Sequence, residues 1–206
     1  MPVSQFRAPV LCLASASPRR RELLDQLAVP HVLAVPNLDE AVLPQESAAD
    51  YVVRMARAKA RIVHPHGSGL PVLAADTIVL LRERVYGKPA DAEDGIAMLL
   101  QLSGRTHQVL TAVALAAAGE VNHRLSRSEV RFRHLSVAEA TAYWNTGEPA
   151  DKAGGYAVQG HGAVFIEHLS GSYSGVMGLP LFETAELLAA AGLSCGLDTA
   201  VAGAAP

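Results

Sequence analysis

The chain has 206 residues, half of them apolar, 5% aromatic and 18% charged, with a formal net charge of −3 at pH 7. A chain of this length buries roughly 70% of the surface its unfolded form exposes, so a single domain over residues 1–206 can form an aliphatic core of Ala, Val and Leu without a stapling metal. Domains that grip a nucleic-acid backbone carry a clear positive excess, and the acidic balance here argues against such a ligand. Cys12 and Cys195 stand far apart and outside any CxxC pattern, which reads as two reduced thiols in a cytoplasmic protein. The N-terminus lacks a basic stretch followed by an apolar run, and no 18-residue uncharged apolar segment occurs. The expectation is therefore no signal peptide and no membrane span.

Strands and helices alternate along the chain. Val10–Ala14 is a short apolar run that suits a buried strand. Ser17 and Pro18 then read as a cap and first helical residue. His31–Val35 is a second strand, and Ser47 with Asp50 opens a helix running to about Val63. Pro71–Leu81 is strand-like, interrupted by Asp76-Thr77, and Asp91 caps a helix to Leu102. His107–Ala117 and Val121–Leu135, joined by Gly119-Glu120, form a hairpin. Ser136 and Glu139 cap a helix that stops at Gly147; strand Ala163–His168 and a final helix from Pro180 complete the order. Residues 1–8 and 195–206 are expected to fray. The pattern predicts an α/β fold whose sheet is not purely parallel.

Five features depart from an ordinary soluble domain. The strand–turn–helix at Leu13–Arg21 crowds three arginines into a first helical turn, beside Ser15 and Ser17. The helix dipole disfavours cations there unless an anion comes between, so a phosphate cradle stands against a solvated basic face. It is not a Walker A loop, because GxxxxGK[ST] is absent. Lys59 falls on the apolar stripe Val52, Met55, Ala56, Val63; it either snorkels to solvent or points into a site. Asp76-Thr77 lies within a ten-residue apolar run, where a buried carboxylate must meet a cation or metal; the alternative is a strand end with a solvated Asp. Asp39-Glu40 adds two loop carboxylates that could join Asp76 around Mg²⁺. Gly87-Lys88-Pro89 and the segment Asp151–Gly160, with Lys152 and Gln159, suggest backbone near a ligand.

Other signals fail. GSYSG at 171–175 has Tyr173 where a nucleophile-elbow serine should stand. His64-Pro65-His66 lacks a third ligand, and Trp144 is expected to pack against the core.

Taken in order, LASASPRRRELL at 13–24, Ala75-Asp76-Thr77, Gly87-Lys88-Pro89, Leu102-Ser103-Gly104-Arg105, Asp151-Lys152-Ala153-Gly154 and Val176–Pro180 resemble the Maf family over about Val10–Leu188. The resemblance implies a nucleotide pyrophosphatase with a mixed, elongated sheet and flanking helices in two lobes around a cleft, similar to inosine triphosphate pyrophosphatases. It implies Asp76 as the catalytic proton acceptor, with Lys59 and Lys88 beside it. Ser15, Arg19, Arg20, Thr77, Lys152 and Gln159 would bind substrate, and Glu40 with Asp76 would hold a divalent metal, Mg²⁺ or Mn²⁺. Arg19, Thr77 and Gln159 match the branch acting on dTTP and UTP. The branch acting on 7-methyl-GTP has a tryptophan after the SxSP proline and a glutamine after the aspartate, neither found here. The expected assembly is a homodimer with a small-molecule nucleotide as its partner. A non-catalytic regulator of septum formation is the reading outside enzymes.

Overall fold

The computed structural model describes residues 8–63 and 69–196. Strand β1 (Leu11–Ala14) leads into α1 (Pro18–Gln26), β2 (His31–Ala34) and α2 (Ala48–Val63). The Ser47 hydroxyl accepts the Asp50 amide at 3.1 Å and donates to its carboxylate at 2.6 Å, fixing the start of α2. Strand β3 (Val72–Leu81) follows, then the short β4 (Arg84–Tyr86), α3 (Ala92–Leu102) and the long hairpin β5 (Thr106–Ala117) and β6 (Glu120–Phe132). Asp91 caps α3 through the Asp94 amide at 2.9 Å. A reciprocal Ser136–Glu139 capping box starts α4 (Val137–Trp144). Strand β7 (Ile166–Ser170), α5 (Tyr173–Met177) and α6 (Leu181–Ala190) complete the described chain.

The fold is a mixed α/β sheet flanked by helices, in the order β2-β1-β3-β5-β6-β7, with β4 paired to β3. Strand β1 runs parallel to β2 and β3, and the remaining pairs are antiparallel. Helix α2 packs Val52, Met55, Ala56 and Ala60 against the sheet in one cluster. Leu23 and Leu24 of α1 join Leu187 and Leu188 of α6 in a second. Met98, Leu99 and Leu102 of α3 pack with Ala140 and Tyr143 of α4 over the far ends of β5 and β6, making the other lobe.

Several expectations need correction. Strand β3 is not interrupted at Asp76-Thr77: these residues pair with Ala112 and Thr111 in unbroken register. The side chains find polar partners beside the strand, so the ladder need not break. Strand β6 ends at Phe132 rather than Leu135, where a register shift at Arg131/Phe132 accompanies the change in pairing to β7. Residues His161–Phe165 form a 3-10 turn, so the last strand starts at Ile166. Helix α4 stops at Trp144, three residues before Gly147. Ser17 makes no side-chain cap on α1; instead its amide donates to the Ser15 hydroxyl at 3.1 Å. Trp144 is half-buried, its ring lying over Gly95 of α3. Residues 1–7 and 197–206, with His64, Pro65 and His66, lie outside the described residues.

Candidate active site

A cleft of about 580 Å³ opens between the two lobes, within the range that holds a nucleotide-sized ligand. The β1–α1 turn brings Ser15, Arg19 and Arg20 to it, and the loop after β2 brings Glu40. Lys59 comes from α2, and Asp76 and Thr77 from the middle of β3. Lys88 arrives on the turn after β4, and Lys152 and Gln159 on the segment after α4. Ten residues read from separate stretches of sequence thus line one cavity. Five cationic side chains, Arg19, Arg20, Lys59, Lys88 and Lys152, face it against three carboxylates, Glu40, Asp76 and Asp151. On a chain of net charge −3, this is a local positive field suited to an anion.

Lys59 organises the centre. Its ammonium lies 2.6 Å from Asp76 Oδ1 and 2.7 Å from Glu40 Oε1. The Lys59 and Asp76 side chains are each only 10% exposed, whereas Glu40 is 55% exposed. Lysine in the apolar stripe of α2 therefore points into the site instead of snorkelling. Burial raises the Asp76 carboxyl above the ordinary aspartate value, with Lys59 and Arg20 opposing it. Tyr51 stands behind this group and donates to the Glu40 carbonyl at 3.0 Å. Burial, with Asp76 and Glu40 adding to it, pushes its phenol up to about 12, so it stays protonated. Asp39 turns away, accepting the Ala41 amide at 3.0 Å, which leaves Glu40 as the acidic residue of that pair in the cleft.

Arg20 is braced rather than loose. Its Nε donates to the Gly178 carbonyl at 2.8 Å and its Nη2 to the Thr77 hydroxyl at 3.2 Å. Behind Thr77, the buried Thr111 hydroxyl donates to the Gly175 carbonyl at 2.7 Å and lies 3.0 Å from Thr77 Oγ1. Arg19 pairs with Asp151 at 3.1 Å. Lys152 lies 2.6 Å from the other Asp151 oxygen and donates to the Glu148 carbonyl at 2.6 Å. Burial opposes ionisation of Asp151, but the bonds from Lys152 and Arg19 outweigh it and hold the carboxyl low. Lys88 and Gln159 are exposed at the rim.

The two loops at the rim are joined through Gly154, whose amide donates to the Gly87 carbonyl at 3.0 Å. Gly154 has φ +70°, and a Cβ there would lie 2.9 Å from the Val79 side chain. Glycine satisfies both demands. The sequence reading missed Thr111, Tyr51 and Glu148 as supports of the site. Of these, only Thr111, a hydroxyl in the middle of an apolar strand, left a signal. In the GSYSG segment, Ser172 is spent on capping α5, accepting the Gly175 amide at 2.9 Å, so it serves the helix and not a triad.

Among the described residues, no cluster of three or more His, Cys, Asp or Glu side chains gathers that would make a closed metal cage. Nor is any described helix long and apolar enough to cross a membrane.

The sequence profile of the family described as Maf-like protein matches residues 10–191. A dTTP/UTP pyrophosphatase of Alkalilimnicola ehrlichii is 54% identical over 186 residues, covering 87% of this chain and 92% of that protein. A protein of the same description from Bordetella avium is 51% identical over 195 residues, covering 90% and 97%. A HAM1 protein from Coxiella burnetii aligns over 89% of this chain at 18% identity and a TM-score of 0.42, too slight a likeness to argue from. With the profile spanning nearly every element that lines the cleft, and with relatives sharing half their residues over almost their whole length, the chain belongs to the Maf family.

Proposed function

We propose that the chain is a pyrophosphatase acting on dTTP and UTP, hydrolysing each to the monophosphate and pyrophosphate. The observation that carries the reading is Asp76: a buried carboxylate held by Lys59 at 2.6 Å on the floor of a cationic cleft, in a chain whose relatives at 51–54% identity are described as dTTP/UTP pyrophosphatases.

A triphosphate brings close to four negative charges. The amides at the start of α1 with Arg19, Arg20, Lys88 and Lys152 would neutralise them. Arg20 is held by Gly178 and Thr77 through Nε and Nη2, which leaves its Nη1 for a phosphate oxygen. Ser15 adds a hydroxyl beside the same turn. Lys59 occupies Asp76 Oδ1, and Oδ2 accepts no hydrogen bond from the described residues. That oxygen would orient and deprotonate a water, and a carboxyl raised by burial is a stronger base than an ordinary aspartate. Attack at the α-phosphorus forms one P–O bond and breaks the bond to the bridging oxygen, which departs with pyrophosphate. Positioning and charge stabilisation supply most of the acceleration.

A divalent cation fits the donors. Mg²⁺ takes one or two protein carboxylates and completes its shell with phosphate oxygens and waters, and Glu40 and Asp76 converge on a single ammonium. These two residues would hold Mg²⁺ or Mn²⁺, which would supply Lewis-acid polarisation of the phosphate. Base choice falls to Gln159, whose amide can donate and accept at the imide edge of uracil or thymine. One methyl group is worth only about 1–3 kcal/mol in a pocket, so activity on both pyrimidines follows. The same proposal takes the chain as cytoplasmic and as a homodimer; light scattering on the purified protein tests the assembly, and cell fractionation the location.

The experiment is pyrophosphate release with Mg²⁺ or Mn²⁺ across dTTP, UTP, CTP, GTP and 7-methyl-GTP, for the native chain and Asp76→Asn. Turnover of dTTP and UTP that disappears in the variant is the expected result. Turnover of 7-methyl-GTP alone would keep the enzyme class and overturn the assignment of Thr77 and Gln159. Turnover by Asp76→Asn at the native rate would remove Asp76 from the chemistry.

A further inference from the structure

The segment after α4 carries Asp151, Lys152 and Gln159 to the cleft, whereas Glu148 of the same segment does not line it. Glu148 Oε1 accepts the Tyr143 hydroxyl at 2.6 Å and the Gly162 amide at 3.1 Å. Its Oε2 accepts the His161 amide at 2.9 Å and lies 3.1 Å from His161 Nδ1. The same residue's carbonyl receives the Lys152 ammonium at 2.6 Å. One residue therefore ties the start of the segment to its end, 13 and 14 residues further on.

Three further observations make this a built feature rather than a chance surface contact. The Glu148 side chain is only 17% exposed although it opens a single short 3-10 turn. A Cβ at Gly160 would run into the Glu148 carboxylate, so the backbone lies directly against it and a side chain at 160 would push the carboxylate out of place. Tyr143, the other holder of Oε1, accepts the Ala157 amide at 3.0 Å, which fixes the middle of the segment to α4 as well. Burial opposes ionisation of Glu148, but the bonds from Tyr143, His161 and Gly162 outweigh it and bring its carboxyl down to about 2. It is a full anion, and a strong acceptor, at any working pH.

We propose that Glu148 is a positioning residue for the nucleotide: it sets where Lys152 and Gln159 stand in the cleft without touching substrate itself. Gln159 lies two residues before His161 and one before Gly160, so any slackening at the Glu148 carboxylate reaches it directly. Lys152 is oriented by the Glu148 carbonyl. The proposal rests on the pyrimidine triphosphate reading for the identity of the substrate. It does not rest on that reading for the existence of the tie.

Glu148→Gln is the test, because it keeps the shape and replaces one acceptor oxygen by an amino group that confronts the amides of His161 or Gly162. The expected result is a KM for UTP raised about tenfold and a preference for UTP over CTP lowered about tenfold, with kcat changed less than about threefold, the pattern of lost ground-state placement. Hydrogen exchange should quicken across residues 147–162 and stay native in β3 and α2. Tyr143→Phe removes the bond to Oε1 together with the acceptor of the Ala157 amide, and should move the same readouts in the same direction; it carries the test if Glu148→Gln fails to fold. A lowered Tm with KM, base preference and exchange across 147–162 all unchanged would overturn the proposal. Absence of UTP and dTTP turnover in the native chain, with faster exchange confined to 147–162 in the variant, would overturn the substrate reading and leave the tie standing.

Discussion

Lys59→Met separates the charge of Lys59 from its hydrophobic stem. Methionine keeps the apolar contacts on α2 and deletes the ammonium, leaving Asp76 buried opposite no hydrogen-bonded cation. Both members of the pair are 10% exposed and 2.6 Å apart, and breaking a buried pair from one side costs about 3–5 kcal/mol. Arg20 still acts on Asp76 across the cleft, so the lower end, about 3 kcal/mol, is expected. For a chain near 200 residues that is a fall of about 6–12 °C in Tm. The bond to Glu40 adds little, because its carboxylate is more than half exposed. The pH dependence discriminates this cause from simple packing loss. The folded carboxyl of Asp76 lies above its unfolded value of 3.8. Its stabilising, protonated form is therefore fully expressed below the unfolded value, and that stability is lost as pH rises through the folded one. Removing Lys59 removes an influence that lowers the folded value, so the loss extends to higher pH. The deficit of Lys59→Met should thus be larger at pH 8 than at pH 5, and adding Asp76→Asn should return at least half of it. Calorimetry at the two pH values with matched salt reads this directly. A deficit equal at both pH values, or one that Asp76→Asn does not relieve, would refute a buried charge pair as the organising contact.

Glu40→Gln should leave Tm unchanged within error, since the group is largely exposed, while raising the Mg²⁺ concentration needed for half-maximal pyrophosphate release; a metal titration checks it. Thr111→Val keeps the volume and strips a hydroxyl from the Gly175 carbonyl and from Thr77; urea unfolding should show a loss of about 1–3 kcal/mol, the cost of leaving buried polar atoms unpaired. Gly154→Ala places a Cβ against Val79 at positive φ and should cost about 1–2 kcal/mol. It should also raise KM for UTP, because Gly154 joins the turns that carry Lys88 and Lys152. Gln159→Ala should relax discrimination between UTP and CTP more than it slows UTP turnover, measured as the ratio of the two kcat/KM values.

What could be read from the sequence divides along physical lines. Helix starts were legible because capping is local: Ser47 with Asp50, Asp91 with Asp94, and Ser136 with Glu139 each act within three residues. The ends of β6 and β7 were not, because they are set by a partner strand and a register shift at Arg131/Phe132. The apolar run at Ala163–Val164 looks like strand whichever way the chain turns. Strand β4 has three residues and exists by pairing with β3, and α5 has five; neither is long enough to show a period. Asp76-Thr77 reads as a break only if the strand must be apolar on both faces, and tertiary partners removed that requirement.

The site follows the same division, but with the visibility reversed. Lys59 stands out on an apolar helix stripe and Asp76 in an apolar strand, because a polar group there is costly and needs a reason. That reason is each other, across 17 residues, which spacing alone does not give. Arg19 and Arg20 stand out because a helix start disfavours them. Glu148 offers no such contrast. It lies between Gly147 and Pro149 in a polar stretch where a solvated glutamate is the ordinary expectation, and its weight comes wholly from what folds back onto it. Sequence therefore exposes residues placed against the local environment and conceals those placed with it, so groups that touch substrate are easier to find than groups that hold them in place. On this reasoning the positioning residues of such a site belong in its polar turns, next to glycines such as Gly160 whose missing Cβ lets a carboxylate lie against the backbone.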